Sequence, residues 1–396
     1  MAQSKFAQRI LRTSAPLVGL RAAGQGAEFV AWVVLARRLA PHAFGELSVG
    51  FLACRYAGLV ADWGASIRGS RDVARTTIGE IPIGLVRRRR AASIALTAVF
   101  VLVTLGTRRA YLLPLIGVLL NRGLNRDWMA LGRERGFRAG LPSLALGIGA
   151  LVGSLLSQSQ LGAAVAIGVG YAGGLVVSLA LNRMDKPWST TAEPVDGWIL
   201  LNTVADQFLI TGDTLLLAVL RGSRDAGIYA AVYRLPNAWM NLAGILAAGM
   251  IPVVTASARE GADQLAAIRR TLIRIGAGLG ILVLLSAPLL YWAIPPVLGV
   301  EYEDGRVPGL LIMIATAAFV AYLPLTALHL AAGRDRAFAL TSLGGATISL
   351  SLDLLLIPMF GMNGAAACAA TVFIALLAVH LRLTRNSDKE HSVRND

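Results

Sequence analysis

The chain has 396 residues, of which 56% are hydrophobic and only 15% charged, and its mean hydropathy is +0.63. A soluble domain carries about 25% charged residues, and a water-exposed fold of this size has no core large enough for so much apolar surface. The composition therefore excludes an ordinary soluble protein and points to an integral membrane protein. The formal net charge of +14 would indicate a nucleic-acid binder in a soluble chain. Here the arginines lie mostly between apolar runs, where they set the orientation of a helical membrane protein, and no nucleic-acid partner is expected.

The pattern predicts an all-α polytopic protein of about twelve transmembrane helices, each near 20 residues. The lead-in MAQSKFAQRILRTSAP reads as a cytosolic segment ahead of the first span rather than a cleaved signal. Six spans are expected at 14–36, 43–65, 90–107, 110–130, 139–157 and 161–181. After the polar link RMDKPWSTTAEPVDG, six more are expected at 197–220, 227–255, 266–292, 307–331, 338–358 and 361–383. With a cytosolic N-terminus, 25 of the 37 basic residues fall at cytosolic ends, seven fall on the opposite side, and five fall inside spans. This bias supports an even number of helices with both termini in the cytosol. The RRRR run at 87–90 reads as a topology anchor, and its placement also suits an anionic lipid headgroup.

The polar link divides the chain into two expected six-helix lobes, 1–185 and 186–396. The turns LARRLAPHAFGELSVG and LAVLRGSRDAGIYAAV agree with an internal duplication, because Gly45 and Gly227 open equivalent helices 182 residues apart. Transporters are often built from two such repeats with a substrate path between them. The two cysteines, Cys54 and Cys368, lie in apolar runs and fit no metal spacing, so no metal site and no cofactor are expected.

A charge inside a span is tolerated when it faces water or a partner. Arg21, Gln25 and Glu28 step by four and three, as Arg234, Asn237 and Asn241 step by three and four. Arg55 and Asp62 are seven apart, and Asn202, Asp206 and Asp213 step by four and seven. Each set is a polar stripe on one helical face. The stripes fall on spans one, two, seven and eight, which predicts a central polar cavity lined by those helices. The competing structural reading makes some of these groups ion pairs within the bundle, Arg55 with Asp62 for example, and lets Arg274 snorkel to the membrane surface. Guanidinium groups match phosphate oxygens and stay charged when partly desolvated. Arg21, Arg55 and Arg234, with Gln25, Glu28 and Asn237, are therefore the substrate-binding candidates. Glu28, Asp62, Asp206 and Asp213 are candidates for carrying a coupling cation or proton.

Three blocks carry a family resemblance. LARRLAPHAFGELSVGFLACRYAGLVADWGASIRGSRDVAR and DTLLLAVLRGSRDAGIYAAVYRLPNAWMNLAGILAAGMIPVVTASARE resemble equivalent regions of the two halves of the polysaccharide biosynthesis flippases. These belong to the multidrug, oligosaccharidyl-lipid and polysaccharide exporter superfamily. In the third block, GRDRAFALTSLGGATISLSLDLLLIPMFGMNGAAACAATV, the piece LLIPMFGMNGAA is similar to that family's last interhelical turn. The resemblance implies a bacterial inner-membrane flippase, not an enzyme, that moves a polyprenyl-diphosphate-linked oligosaccharide by alternating access. It implies that Arg21, and after it Arg55 and Arg234, hold the lipid diphosphate. Membrane lipids, a coupling cation or proton and a polysaccharide polymerase are the implied partners. A drug or metabolite antiporter of the same superfamily is the alternative, and an acidic cavity with few arginines would favour it.

Overall fold

The computed structural model describes residues 2–393 apart from 67–68, 71–72, 74–80, 134, 183–186, 189–196, 258–261 and 332–334. Most of the central link lies outside the described residues, as do Arg68, Arg71, Arg75, Arg183, Lys186, Arg259, Arg334 and Arg394. The first half contains α1 (Ala2–Arg38), α2 (Pro41–Asp62), α3 (Ile83–Gly106), a 3-10 turn (Ala110–Leu115), α4 (Ile116–Leu124), the short α5 (Asp127–Gly132), α6 (Gly136–Leu156) and α7 (Gln160–Leu181). The second half contains α8 (Gly197–Leu220), α9 (Ser223–Ser257), α10 (Ala262–Leu298), a second 3-10 turn (Val300–Gly305), α11 (Arg306–Ala331), α12 (Asp335–Phe360) and α13 (Met362–Val393). The all-α architecture expected from the sequence is the one observed. Extended structure among the described residues amounts to a two-residue parallel pairing of Ile81–Pro82 with Pro187–Trp188.

Nine of the described helical segments are long and apolar enough to cross a membrane. α1 and α9 are not among the nine; they carry the stripes Arg21–Gln25–Glu28 and Arg234–Asn237–Asn241. Large apolar side chains such as Leu102, Val219, Leu285, Leu289 and Trp292 are exposed on the helices, the arrangement expected where lipid replaces water as solvent.

The chain forms two compact units, residues 1–204 and 205–396, whose boundary falls inside α8 rather than at 185/186. In the first unit α1 packs on α6, α6 on α7, and α4 on both α2 and α7. Small residues permit these close approaches, since packing rather than water exclusion holds helices together in lipid. A Cβ on Gly24 would collide with the Ser143 carbonyl, and one on Gly147 with the Gly24 carbonyl. Trp32 anchors the core, edge-on to Phe44 at 5.8 Å and to Phe51 at 4.9 Å. The Arg38 guanidinium at the end of α1 donates to the carbonyls of Ser154, Leu155 and Ser157 at 3.1, 2.7 and 2.7 Å, closing the C-terminus of α6. In the second unit α11 packs on α9, α10 and α13, and α12 on α13. The α12–α13 turn runs through Gly361 at φ 57, a left-handed conformation that glycine adopts without a side-chain clash.

The fourth expected span, 110–130, is not one helix. Pro114 lies in the 3-10 turn, α4 ends at Leu124, and Asn125 and Arg126 leave helical geometry before α5 begins. A break in the helix frees carbonyls that need new partners. Arg89, third of the four arginines at the start of α3, supplies the donors. Its guanidinium reaches the Arg122 carbonyl at 3.0 Å, the Asn125 carbonyl at 3.2 Å and the Asn125 Oδ1 at 3.4 Å. It also pairs with Asp62 at 2.7 Å, both side chains being almost fully buried. The run therefore divides: Arg87, Arg88 and Arg90 are exposed, as an anchor requires, and Arg89 turns inward. Removing one partner of a buried pair leaves the other charge uncompensated, at a cost of about 3 to 5 kcal/mol. Arg89→Ala is expected to lower the melting temperature of the purified protein sharply, with Arg88→Ala nearly neutral. Arg89→Lys should recover little, because an ammonium cannot reproduce the planar fork. Thermal unfolding in detergent checks all three.

Candidate functional site

α1, α2 and α4 bring together the three intramembrane arginines of the first unit. Arg122 lies within coulombic reach of Arg21, Arg55, Asp62 and the Tyr171 hydroxyl. Gly58 on α2 makes room for it, since a Cβ there would stand 2.6 Å from the Arg122 Cβ. Arg122 is solvent-exposed although protein surrounds it on most sides, as for a side chain that lines a recess. Arg21 and Arg55 are half-buried; the Arg55 guanidinium stands 5.8 Å from the Phe51 ring centre.

Two carboxylates offset this charge. Asp62 is held by Arg89 and by Ser66, whose hydroxyl donates to it at 2.6 Å. Asp127, at the start of α5, accepts a hydrogen bond from the Ser178 hydroxyl and lies within reach of both Arg21 and Arg89. The same Ser178 Oγ accepts the Arg126 backbone N–H at 2.8 Å, so α7 fixes the far side of the α4–α5 break. Four arginines face two carboxylates, and one of those carboxylates is committed to Arg89. The neighbourhood carries excess positive charge in a mostly apolar setting, where an anion with several acceptor oxygens is the complementary ligand.

Glu28 takes a different place. It accepts from the Tyr171 hydroxyl at 2.9 Å and from the Trp32 indole N–H at 3.4 Å. Tyr171 also packs edge-on to Phe51 at 5.8 Å. Two neutral donors therefore hold the Glu28 carboxylate beside the aromatic core, and Tyr171 links it to Arg122. Gln25, one turn earlier, is half-buried.

The second unit holds carboxylates where the first holds arginines. Asp213 on α8 is buried, accepts from the Tyr229 hydroxyl of α9 and from the Thr214 backbone N–H at 2.8 Å, and lies within coulombic reach of Asp353 on α12. Asp353 is 1% exposed; one oxygen accepts from the Ser349 hydroxyl at 3.3 Å and the other, Oδ1, has no hydrogen-bond partner. Two buried carboxyl groups within coulombic reach repel each other when both are charged. Asp206, two turns before Asp213, is half-buried within reach of Tyr322, which stacks on the buried His380 at 4.8 Å. Arg234 and Asn237 are half-buried on α9, and Arg274 is exposed.

The structure thus groups Arg21, Arg55 and Asp62 in the first unit and sets Glu28 on their aromatic border. In the second unit it gives Asp213 the partner Asp353, which the sequence left isolated. Sequence reasoning counted Arg122 among the polar groups inside spans without making it a site candidate, and it passed over Asp127, Arg89 and Tyr171. The only signal for the first two was the polar stretch NRGLNRDW inside an expected span; Arg89 was hidden in a run with an ordinary topological explanation.

The fold is that of known transporters. The structure matches the inward-facing conformation of a multidrug resistance MATE family transporter of the MOP superfamily with a TM-score of 0.70, at 12% identity, over 93% of this chain and 95% of that one. It matches a MOP superfamily transporter from Pyrococcus furiosus, described as having a binding pocket of reverse polarity, with a TM-score of 0.63, at 14% identity, over 97% and 96%. It matches the lipid II flippase MurJ in an inward closed conformation with a TM-score of 0.63, at 13% identity, over 95% and 87%. No family model and no curated protein sequence matches the chain.

The buried Asp213–Tyr229 contact yields a stability test. Tyr229→Phe removes the donor and leaves a buried carboxyl group short of a partner, at a cost of about 1 to 3 kcal/mol. Adding Asp353→Asn should recover part of that loss, because the two acids interact. A double-mutant cycle in thermal unfolding reads the coupling, and additive effects would separate the pair.

Proposed function

We propose that this protein is a flippase that moves a polyprenyl-diphosphate-linked oligosaccharide across a bacterial inner membrane by alternating access, in the service of polysaccharide biosynthesis. The observation that carries the reading is the convergence of Arg21, Arg55 and Arg122 with more positive charge than Asp62 and Asp127 offset. A lipid diphosphate presents the oxygen-rich anion that such guanidinium groups recognise, and its apolar tail suits a membrane environment. The fold supports transport but does not choose the cargo, since it is common to drug exporters and a lipid II flippase. The polarity of the site favours an anionic cargo, because a cationic drug gains nothing from a cluster of arginines. In this reading both termini lie in the cytosol.

The cargo is tested directly. Arg21→Ala, Arg55→Ala and Arg122→Ala should each weaken binding of farnesyl diphosphate to the purified protein by about tenfold or more, the worth of one charge-assisted hydrogen bond. Arg21→Ala should also abolish saccharide export in cells while the protein still inserts. Normal export by a well-inserted Arg21→Ala protein would sink the diphosphate role, and saturable efflux of a cationic dye would favour the antiporter.

Coupling is assigned to the carboxylate pair of the second unit, with Asp213 as its centre and Asp353 as its structural partner. A cation or proton bound there releases the repulsion between the two acids. Asp213→Asn should leave farnesyl diphosphate binding intact and abolish the dependence of export on the ion or pH gradient. Unchanged gradient dependence in that variant would move the coupling site to Glu28 or Asp206.

A further inference from the structure

The first unit holds a pocket that the arginine cluster of Arg21, Arg55 and Arg122 does not line. Where the start of α3 meets the α4–α5 break, Arg89, Arg90, Asn125, Arg126 and Trp128 line a recess of about 80 Å³. That volume exceeds the roughly 30 Å³ share of a single water and admits a group of several heavy atoms. The pocket sits at the polar end of the Val86–Gly106 span, where a membrane helix meets the headgroup layer.

Its lining is built for an acceptor. Among the described residues no carboxylate borders it. Arg90 and Arg126 lie within coulombic reach of each other, two like charges held at one recess. Arg126 spends one nitrogen on the Asn182 carbonyl, at a long 3.4 Å. Deeper in, the Trp128 indole N–H and the Arg89 Nε–H are buried and have no hydrogen-bond partner. Trp128 is 4% exposed, and the Arg89 guanidinium stands 6.0 Å from its ring centre. Arginine and tryptophan side chains only donate. Buried donors left unmade are rare and costly in native proteins, and an acceptor-rich anion would answer all of them at once.

We propose that this pocket binds a phosphate group, separately from the transported cargo. The phosphate comes either from an anionic lipid headgroup at the membrane surface or from phosphate in solution. In both cases two mobile guanidinium groups close over it while the α4–α5 break forms the floor. Because Arg89 donates both to that floor and to Asp62, occupancy would brace the break that positions Arg122 and Asp127. The proposal does not depend on what is transported, since neither Arg90 nor Arg126 belongs to the farnesyl diphosphate test above.

The experiment is a melting series on the full-length protein in uncharged detergent. One arm adds inorganic phosphate, a second adds short-chain phosphatidylglycerol, and the controls are sodium chloride at equal ionic strength and an uncharged diacylglycerol. At least one phosphate arm should raise the melting temperature above its control. Arg90→Ala should shift the half-maximal concentration upward by about tenfold, as for loss of one charge-assisted bond, and Arg90→Glu should abolish the effect. Arg88→Ala removes the same charge from the same run outside the pocket and should keep the full effect. A response to the lipid alone identifies a headgroup site, and a response to both identifies a phosphate site open to solution. No response in either arm overturns the proposal, as does a response that Arg90→Ala and Arg90→Glu retain. Arg90 is exposed, so its variants should fold even if those at Arg126 do not.

Discussion

The buried Arg89–Asp62 pair is the constraint on which the first unit depends. A transmembrane segment cannot be broken without finding new partners for the carbonyls it frees. Arg89 meets that demand from a neighbouring helix, through two backbone carbonyls and a side-chain amide. A buried guanidinium needs a counter-charge, and Asp62 at the end of α2 supplies it at 2.7 Å. α2, α3, α4 and α5 are thereby tied at one point. The geometry of the proposed substrate site follows, because Arg122 lies three residues before the break and Asp127 two residues after it.

The two units use the same kind of helix for opposite charges. Among the described residues, the fully buried ionic groups of the first unit are Asp62 and Arg89, with Arg21, Arg55 and Arg122 gathered nearby. Those of the second unit are Asp213 and Asp353. Arginine stays charged when desolvated, and its fork favours a fixed anion. A carboxyl pair can exchange a proton or cation and so has two states of nearly equal cost. The first chemistry suits holding a substrate and the second suits cycling.

The sequence was most legible where periodicity and charge act over many residues. Apolar runs of lipid length predicted the helices from α6 to α13 to within a turn or two at most ends. Less legible were features decided by contacts between distant residues. Nothing local distinguishes Arg89 from Arg88 or Arg90, because only the fold shows which of the four faces a broken helix. The 110–130 stretch is apolar enough for one span, and its interruption depends on Ser178 and Arg89, both remote in sequence. Asp353 looked isolated because its partner is 140 residues away.

Glu28 illustrates the limit most sharply. By spacing it shares the Arg21 face, which made it both a binding and a coupling candidate. In the folded chain its carboxylate is met by Tyr171 and Trp32, the rim of the aromatic core. Both are neutral donors, and they fix the carboxylate beside the arginine cluster. Tyr171 stands between Glu28 and Arg122 and can stabilise either charge, so the weight of Glu28 on the site depends on which way that hydroxyl points.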